Sequence, residues 1–480
     1  MERSTKKAPK GEAKEHKKNW REVYATTEDI EHFLCDNILL RHNVVTGRQE
    51  FRVPMQDEFE ALGMRYPTGA TPLDEWRSAT QWYPVCDRLI NSLHNMLSVS
   101  KEVREGSIRR IINSDFVPLY NPLQHYLTRL PPWDGKTDYI MELSLSVSVK
   151  GSPEEQLFFY FCLKKWLVGM VAGWLDDEVV NHEILVFVGR QGIYKTTWFN
   201  HLLPPELQPY FNSNTSFGNI TKDEVLKLSQ YGLICCEELD SMRPAEMNRL
   251  KWAVTTTVTD ERVAYAHYSE RRKHIASYCG TGNNVQFIDD DTGTRRWLPF
   301  EVERIESPRE HPFNYSGIFS QAYALYLKGF RYWFGEKEAQ LLARHNERFE
   351  VAQPERELIM KYYRLPREDE RGEFFSSTDI MQTVAGNMVY QLTRNKLGRF
   401  MTALGFERMR SHGQWGYRVV AYTAEQIKSN KSVLAYDAKE EPSLNFEEIF
   451  AADAEKCRIN LRLSRAYRAR LYGTHEKVLF

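Results

Sequence analysis

The sequence predicts a multidomain α/β chain with a helical N-terminal portion, a core built on a parallel sheet and a C-terminal winged helix. Three observations predict it. Strand-like apolar runs (ILVFV, GLICC, IASYCG, WLPFEV) alternate with helical or polar stretches between residues 183 and 302, the pattern of a sheet flanked by helices. Upstream, IEHFLCDNILL and CDRLINSLHNML carry helical periodicity. Downstream, FFSSTDIMQTV and NKLGRFMTALGF read as two short helices, and ERMRSHGQWGYRVV as a hairpin turning at residues 411–413. A length of 480 residues suits about three domains, and 42% hydrophobic residues suits ordinary packed cores.

Residues 1–20 are Lys-rich and lack periodicity, a flexible basic tail. Residues 21–120 read as a small, mainly helical domain. Residues 121–180 form a helical junction: NPLQHYLTRL is a helix stopped by Pro131 and Pro132, and EEQLFFYFCLKKWLVGMVAGWL is a long buried helix. The core covers residues 181–305, a helical connector 306–354, the winged helix 355–420, and a tail 421–480 ends with Arg458, Arg462 and Arg465 on one solvated helix face.

Charge and cysteine usage narrow the function classes. Lys+Arg of 64 against Asp+Glu of 65 leaves a net charge of -1, so any nucleic-acid affinity must come from local basic patches. No apolar run is read as long enough to cross a bilayer and the N-terminus lacks a signal-peptide centre, so neither export nor a membrane partner is expected. The seven cysteines form no C-x-x-C pair, which predicts reduced thiols, a cytoplasmic location and no zinc site.

The chemistry is concentrated in ILVFVGRQGIYKTTWFNHLL, a strand, a Gly-containing loop and a helix opening with Lys-Thr-Thr. Binding a nucleotide's phosphates needs inward-facing backbone N–H groups, a cation for the outer phosphates and a hydroxyl for magnesium. Gly189, Gly192, Lys195, Thr196 and Thr197 supply them, with ATP and Mg as the implied ligands. The motif G-x-x-x-x-G-K-[ST] has Gly where this chain has Tyr194, whose side chain is expected to crowd the phosphates. About forty residues on, a strand ends in Glu237, Glu238 and Asp240. Glu237 suits the hydrated metal, together with Thr196 and partly through water, and Glu238 suits the attacking water; Asp240 alone would read as a helix cap. A third strand ends in Thr281 and Asn283, and Asn283 is read as a sensor of the γ-phosphate. Arg295 and Arg296 precede a fourth strand, placed to reach a neighbouring subunit's phosphate or to serve as a surface pair.

With these elements in this order, residues 181–305 resemble the ATPase core of the virulence-associated protein E family, relatives of the superfamily 3 helicases of phages and mobile elements. NPLQHYLTRLPPWDG and GTGNNVQFIDDDTGTRRWLPFEV resemble further family segments, and residues 355–420 resemble a winged-helix-type module of Bacteroidetes members. The resemblance implies a P-loop, AAA+-like core, Lys195 and Thr196 as nucleotide ligands, Glu237 and Glu238 as metal and water ligands, Asn283 as sensor, and Arg295 or Arg296 as arginine finger. It also implies a pore hairpin that tracks a DNA strand through Arg271, Arg272, Lys273 and His274. In the winged module Asn395, Lys396 and Arg399 fall on the recognition helix, with Arg408 and Arg410 by the wing. The reading is an ATP-dependent helicase or translocase of mobile-element replication, acting on single-stranded or forked DNA as a homo-oligomeric ring, a hexamer by preference. Two alternatives are a nucleotide-dependent switch or defence scaffold without unwinding, and a DNA-binding adaptor with a degenerate loop.

Overall fold

A computed structural model describes residues 23–429, apart from 66, 68, 105, 215–221, 262–269, 290–293, 352–353, 368–369, 386–391 and 412. The N-terminal tail, Cys457 and the row Arg458, Arg462 and Arg465 lie outside the described residues. The chain divides into two compact units, residues 1–125 and 126–480.

In the first unit, α1 (Thr27–Asn37) opens on a capping box: the Asp29 N–H donates to Thr26 Oγ1 at 3.2 Å and the Thr26 N–H to Asp29 Oδ2 at 2.8 Å. Strands β1 (Leu39–Asn43) and β2 (Arg48–Arg52) form an antiparallel hairpin through Gly47 at φ +67°. β3 (Tyr83–Pro84) pairs with β2, and β4 (Leu119–Tyr120) runs parallel to β1. Leu89 and Leu93 of α2 (Asp87–Ser98) and Ile108 and Ile112 of α3 (Ser107–Ile112) pack with Leu34 and Phe51 in one buried cluster. The region expected to be mainly helical therefore also folds a four-stranded sheet. Its strands are short and paired through polar side chains, such as Arg41 donating to the opposite Glu50 at 2.6 Å, so no alternation of apolar residues announces them.

The second unit has the helix α4 (Tyr139–Leu145), β5 (Val147–Val149), the helix α5 (Pro153–Leu175), β6 (Ile184–Val188), α6 (Lys195–Asn200), β7 (Phe211–Asn214) and β8 (Leu233–Cys236). It continues with α7 (Pro244–Thr255), β9 (Val258–Glu261), β10 (Glu270–Lys273), β11 (Ser277–Gly282), β12 (Trp297–Ile305), α8 (Tyr315–Leu327) and α9 (Glu336–Asn346). Six strands form one sheet in the order β5-β12-β6-β11-β8-β7, parallel except where β5 meets β12. Every residue of β6 is buried, as a parallel strand covered on both faces requires. β9 and β10 make a separate antiparallel ribbon.

α5 is tied to the sheet by polar contacts within the apolar packing. Trp166 Nε1 donates to the Tyr278 carbonyl at 3.0 Å, and Asn181 Nδ2 donates to the Trp166 carbonyl at 3.0 Å and to Ser277 Oγ at 3.1 Å. Buried Lys165 donates to the Arg331 and Trp333 carbonyls at 2.7 and 3.1 Å and faces Glu338 at 3.3 Å; burial lowers its pKa. By length and composition this helix is apolar enough to cross a membrane, which corrects the reading that no such run exists; in the fold its most apolar stretch is wholly enclosed by protein. Among the described cysteines Cys162, Cys235, Cys236 and Cys279 are buried, and Cys35 and Cys86 are exposed.

The chain continues with the helix Pro354–Tyr362, β13 (Tyr363–Arg364), β14 (Glu373–Ser376), α10 (Ser377–Ala385), α11 (Arg394–Ala403), β15 (Arg408–Ser411) and β16 (Gln414–Ala421), and its described course ends in the short helix Ala424–Ser429. β16 pairs antiparallel with β13, β14 and β15. Ile380, Leu397, Phe400, Met401, Tyr417 and Val419 form its own core.

Candidate functional site

The carboxyl ends of β6, β11 and β8 lie side by side, because β11 pairs with both neighbours in parallel register. Gly189 leaves β6 at φ +156°, where a Cβ would come within 2.6 Å of the Val302 carbonyl oxygen, so only glycine fits against β12. The loop then passes Gly192 at φ +85° and reaches Tyr194 at φ +68°, which precedes α6. This left-handed backbone explains why the motif favours glycine at that position. The constraint at Tyr194 is thus in the main chain, and its side chain is 45% exposed. α6 is anchored by Trp198 and Phe199, both buried; Phe199 stacks on Phe187 of β6 at 4.5 Å and Trp198 Nε1 donates to Ser146 Oγ at 2.8 Å.

Lys195 is nearly enclosed. Its ammonium donates to the carbonyls of Gly189 at 2.6 Å and Arg190 at 2.8 Å, and to Asn283 Oδ1 at 3.3 Å. Burial pushes its pKa down, and the Asp240 carboxylate opposes that shift. Thr196 and Thr197 are half-buried.

After β8 the chain presents the acids in turn. Glu237 is half-buried and accepts a hydrogen bond from Ser213 Oγ of β7. Glu238 is exposed, adopts φ +54°, and begins a short turn in which Ser241 Oγ donates to its carbonyl at 2.8 Å. Asp240 accepts from the backbone N–H groups of Asn283 at 3.1 Å and Asn284 at 3.2 Å, binding the loop after β8 to the loop after β11. Sequence reading missed Ser213 and this clamp; a third acid three residues after Glu237 was the one signal for Asp240. Among the described residues Tyr194 and Glu238 are the non-glycine residues with positive φ, and they lie in the segments that follow β6 and β8. Such conformations cost on the order of 1–3 kcal/mol each and concentrate where function demands them.

Arg295 is exposed and Arg296 half-buried, and both precede β12. Trp297 lies opposite Ile184 in the parallel register, so the pair sits at the amino end of the sheet, a five-residue strand or roughly 16 Å from the Gly189 end. The structure does not bring these arginines to Lys195 of the same chain.

The basic hairpin needs correction. The register Arg271↔Asp260, Arg272↔Thr259 and Lys273↔Val258 places these residues in strand β10 and not in its turn; the turn, residues 262–269, lies outside the described residues. Lys273 Nζ is 3.5 Å from Asp177 Oδ1, and burial lowers its pKa. His274 is fully buried, its Nδ1–H donates to the Thr256 carbonyl, and burial holds its pKa at about 4, so it is a neutral core residue and no nucleic-acid contact. Lys396 and Arg399 lie on α11, Lys396 Nζ 5.6 Å from the Phe400 ring centre. Among the described residues no three His, Cys, Asp or Glu side chains cluster to hold a metal.

These strand ends, with one enclosed lysine and neighbouring acids, fall within a span that comparison with protein families picks out. Residues 132–351 match the virulence-associated protein E-like domain. That domain spans the whole six-stranded sheet and α9, starts within NPLQHYLTRLPPWDG, and ends before the C-terminal helix–hairpin module. No curated protein matches the sequence. The chain is similar in structure to the A form apo structure of the NrS-1 C terminal region, at 11% identity over 81% of this chain and 98% of that one, with a TM-score of 0.44. It is also similar to the apo structure of NrS-1 C terminal region (305–718), at 11% identity, 81% and 97% coverage and a TM-score of 0.43.

Proposed function

We propose that the chain is an ATP-hydrolysing DNA helicase or translocase of phage or mobile-element replication, working in the cytoplasm as a ring of identical subunits, preferably six. The observation that carries this reading is the Lys195 ammonium at the end of β6, shared between two loop carbonyls and Asn283. Neutral acceptors hold a cation where phosphate oxygens would be stronger partners. The chain leaves β6 toward β7 on one flank of the sheet and returns to β12 on the other, a reversal that opens a ligand crevice at the carboxyl ends. An aligned loop, acid and sensor are what phosphoryl transfer asks of a protein.

In this mechanism the loop N–H groups and Lys195 bind and orient the β- and γ-phosphates of ATP. The donor set suits magnesium: the half-buried Thr196 hydroxyl and Glu237 carboxylate would hold it through oxygen, few enough ligands for an ion that keeps several waters. Magnesium, when bound, would neutralise charge on the phosphates. Glu238, exposed at its turn, orients and deprotonates the attacking water, and Asn283 positions that water against the γ-phosphate. Arg295 and Arg296 serve a neighbouring subunit's nucleotide, which agrees with their place at the far end of their own sheet.

Single-stranded or forked DNA is the partner this reading assigns, contacted by Arg271 and Arg272 of the β9–β10 ribbon and by Lys396 and Arg399 of α11. The order of helix 354–362, β14, α10, α11, β15 and β16 supports a winged helix for the last module. The test is ATP turnover of size-fractionated protein with and without single-stranded DNA, alongside Lys195→Ala. DNA-stimulated turnover lost in the variant is expected; turnover unchanged in Lys195→Ala would place the active site elsewhere.

A further inference from the structure

Residues 392–421 hold six basic residues (Arg394, Lys396, Arg399, Arg408, Arg410 and Arg418) against the single acid Glu407, in a chain whose net charge is -1. That acid is itself engaged, 3.3 Å from Arg418. On the β15–β16 hairpin Arg410 lies directly opposite Trp415, and Arg408 opposite Tyr417. Strand side chains alternate between faces, so these four share one face. Tyr417 is buried, whereas Trp415 keeps 51% of its surface exposed. The Arg408 guanidinium lies 4.5 Å from the indole centre and that of Arg410 5.9 Å. Ser377 Oγ donates to the Trp415 carbonyl at 3.2 Å, which ties this part of the hairpin to the start of α10.

We propose that this hairpin face is a binding site for single-stranded nucleic acid, in which Trp415 stacks on an unpaired base while Arg408 and Arg410 meet the adjoining phosphates. A guanidinium resting on an aromatic face keeps its in-plane N–H groups for phosphate oxygens. An indole held in place by its neighbours presents a π-surface that any base can cover, the pairing of aromatic and cation by which single strands are bound without regard to sequence. Duplex DNA would use the arginines but offers no unstacked base to the ring. The inference rests on the nucleic-acid half of the proposed function and is independent of nucleotide hydrolysis.

The test uses the full chain without nucleotide and measures its affinity for oligothymidylate, for an abasic strand of equal length and charge, and for a duplex of that length. Trp415→Ala is expected to weaken oligothymidylate binding roughly five- to a hundred-fold. Its affinities for the abasic strand and the duplex should stay unchanged, and Trp415→Phe should recover part of the loss. The double variant Arg408→Ala, Arg410→Ala should weaken both single strands and reduce the log-salt slope by about 0.7 for each phosphate that the arginines no longer neutralise. An unchanged oligothymidylate affinity in Trp415→Ala, or an equal loss on all three ligands, overturns the stacking site while the wild-type chain still binds DNA. If the wild-type chain binds none of the three, the nucleic-acid half of the proposed function falls with it.

Discussion

Acidification from pH 7 to pH 5 should cost the second unit about 2 kcal/mol through the single imidazole of His274. Burial lowers its pKa to about 4; the Thr256 and Ala276 carbonyls oppose the shift and the nearby His182 adds to it. Above about pH 6.5 the ring is neutral in the folded and the unfolded chain alike, and pH has no leverage on it. Between about 6.5 and 4 the unfolded chain takes up a proton that the folded chain refuses, so stability rises with pH through that window and is lost as acid is added. With a folded value of about 4 and an unfolded value of 6.5, the difference between pH 7 and pH 5 comes to about 2 kcal/mol. Urea unfolding of the wild type and of His274→Gln at both pH values isolates the term, because other titrating groups contribute equally to both proteins. The variant should lose about 2 kcal/mol less than the wild type on acidification. Equal losses would show that His274 titrates normally and that its enclosure between Thr256 and Tyr278 is not dry.

Tyr194→Gly should raise stability by about 1 kcal/mol in denaturant unfolding, since glycine takes the left-handed backbone without the penalty a side chain incurs; a loss would mean that the phenol makes contacts worth more than that strain. Glu238→Gln should retain ATP binding and lose hydrolysis, read by filter binding and phosphate release, and normal hydrolysis in it but not in Glu237→Gln would reverse the two roles. The double variant Arg295→Ala, Arg296→Ala should bind ATP yet turn over about 10³-fold more slowly. Mixing it with Lys195→Ala should restore partial activity at interfaces where an intact loop meets intact arginines, and no recovery despite subunit exchange would make the pair structural.

The sheet was legible because parallel strands buried on both faces must be apolar throughout, and ILVFV and LICC are little else. Lys195 and the acids were legible for the same reason: a polar cluster immediately after such a run has to lie at a strand end. The ribbon was misjudged because Glu270–Lys273 is an unbroken run of four charged residues, so a strand read as a turn. The hairpin of the first unit was hidden by polar pairs such as Arg41 and Glu50. His274 follows four charged residues in sequence yet is the first to enter the core, a change of environment that no local pattern marks. The clamp from Asp240 to Asn283 joins residues 43 apart in the chain and needs the β8–β11 pairing to exist at all.

The separation of Lys195 from Arg295 and Arg296 along one parallel sheet makes each chain directional. If the arginines of one chain complete the loop of the next, the contact uses two different patches per chain and is head-to-tail. Such an arrangement stops only when it closes on itself. An open row of n chains then has n − 1 complete sites and one loop without arginines at its end. Activity per chain would therefore report closure, rising with protein concentration until rings fill and falling when a single chain with a blocked patch enters the row.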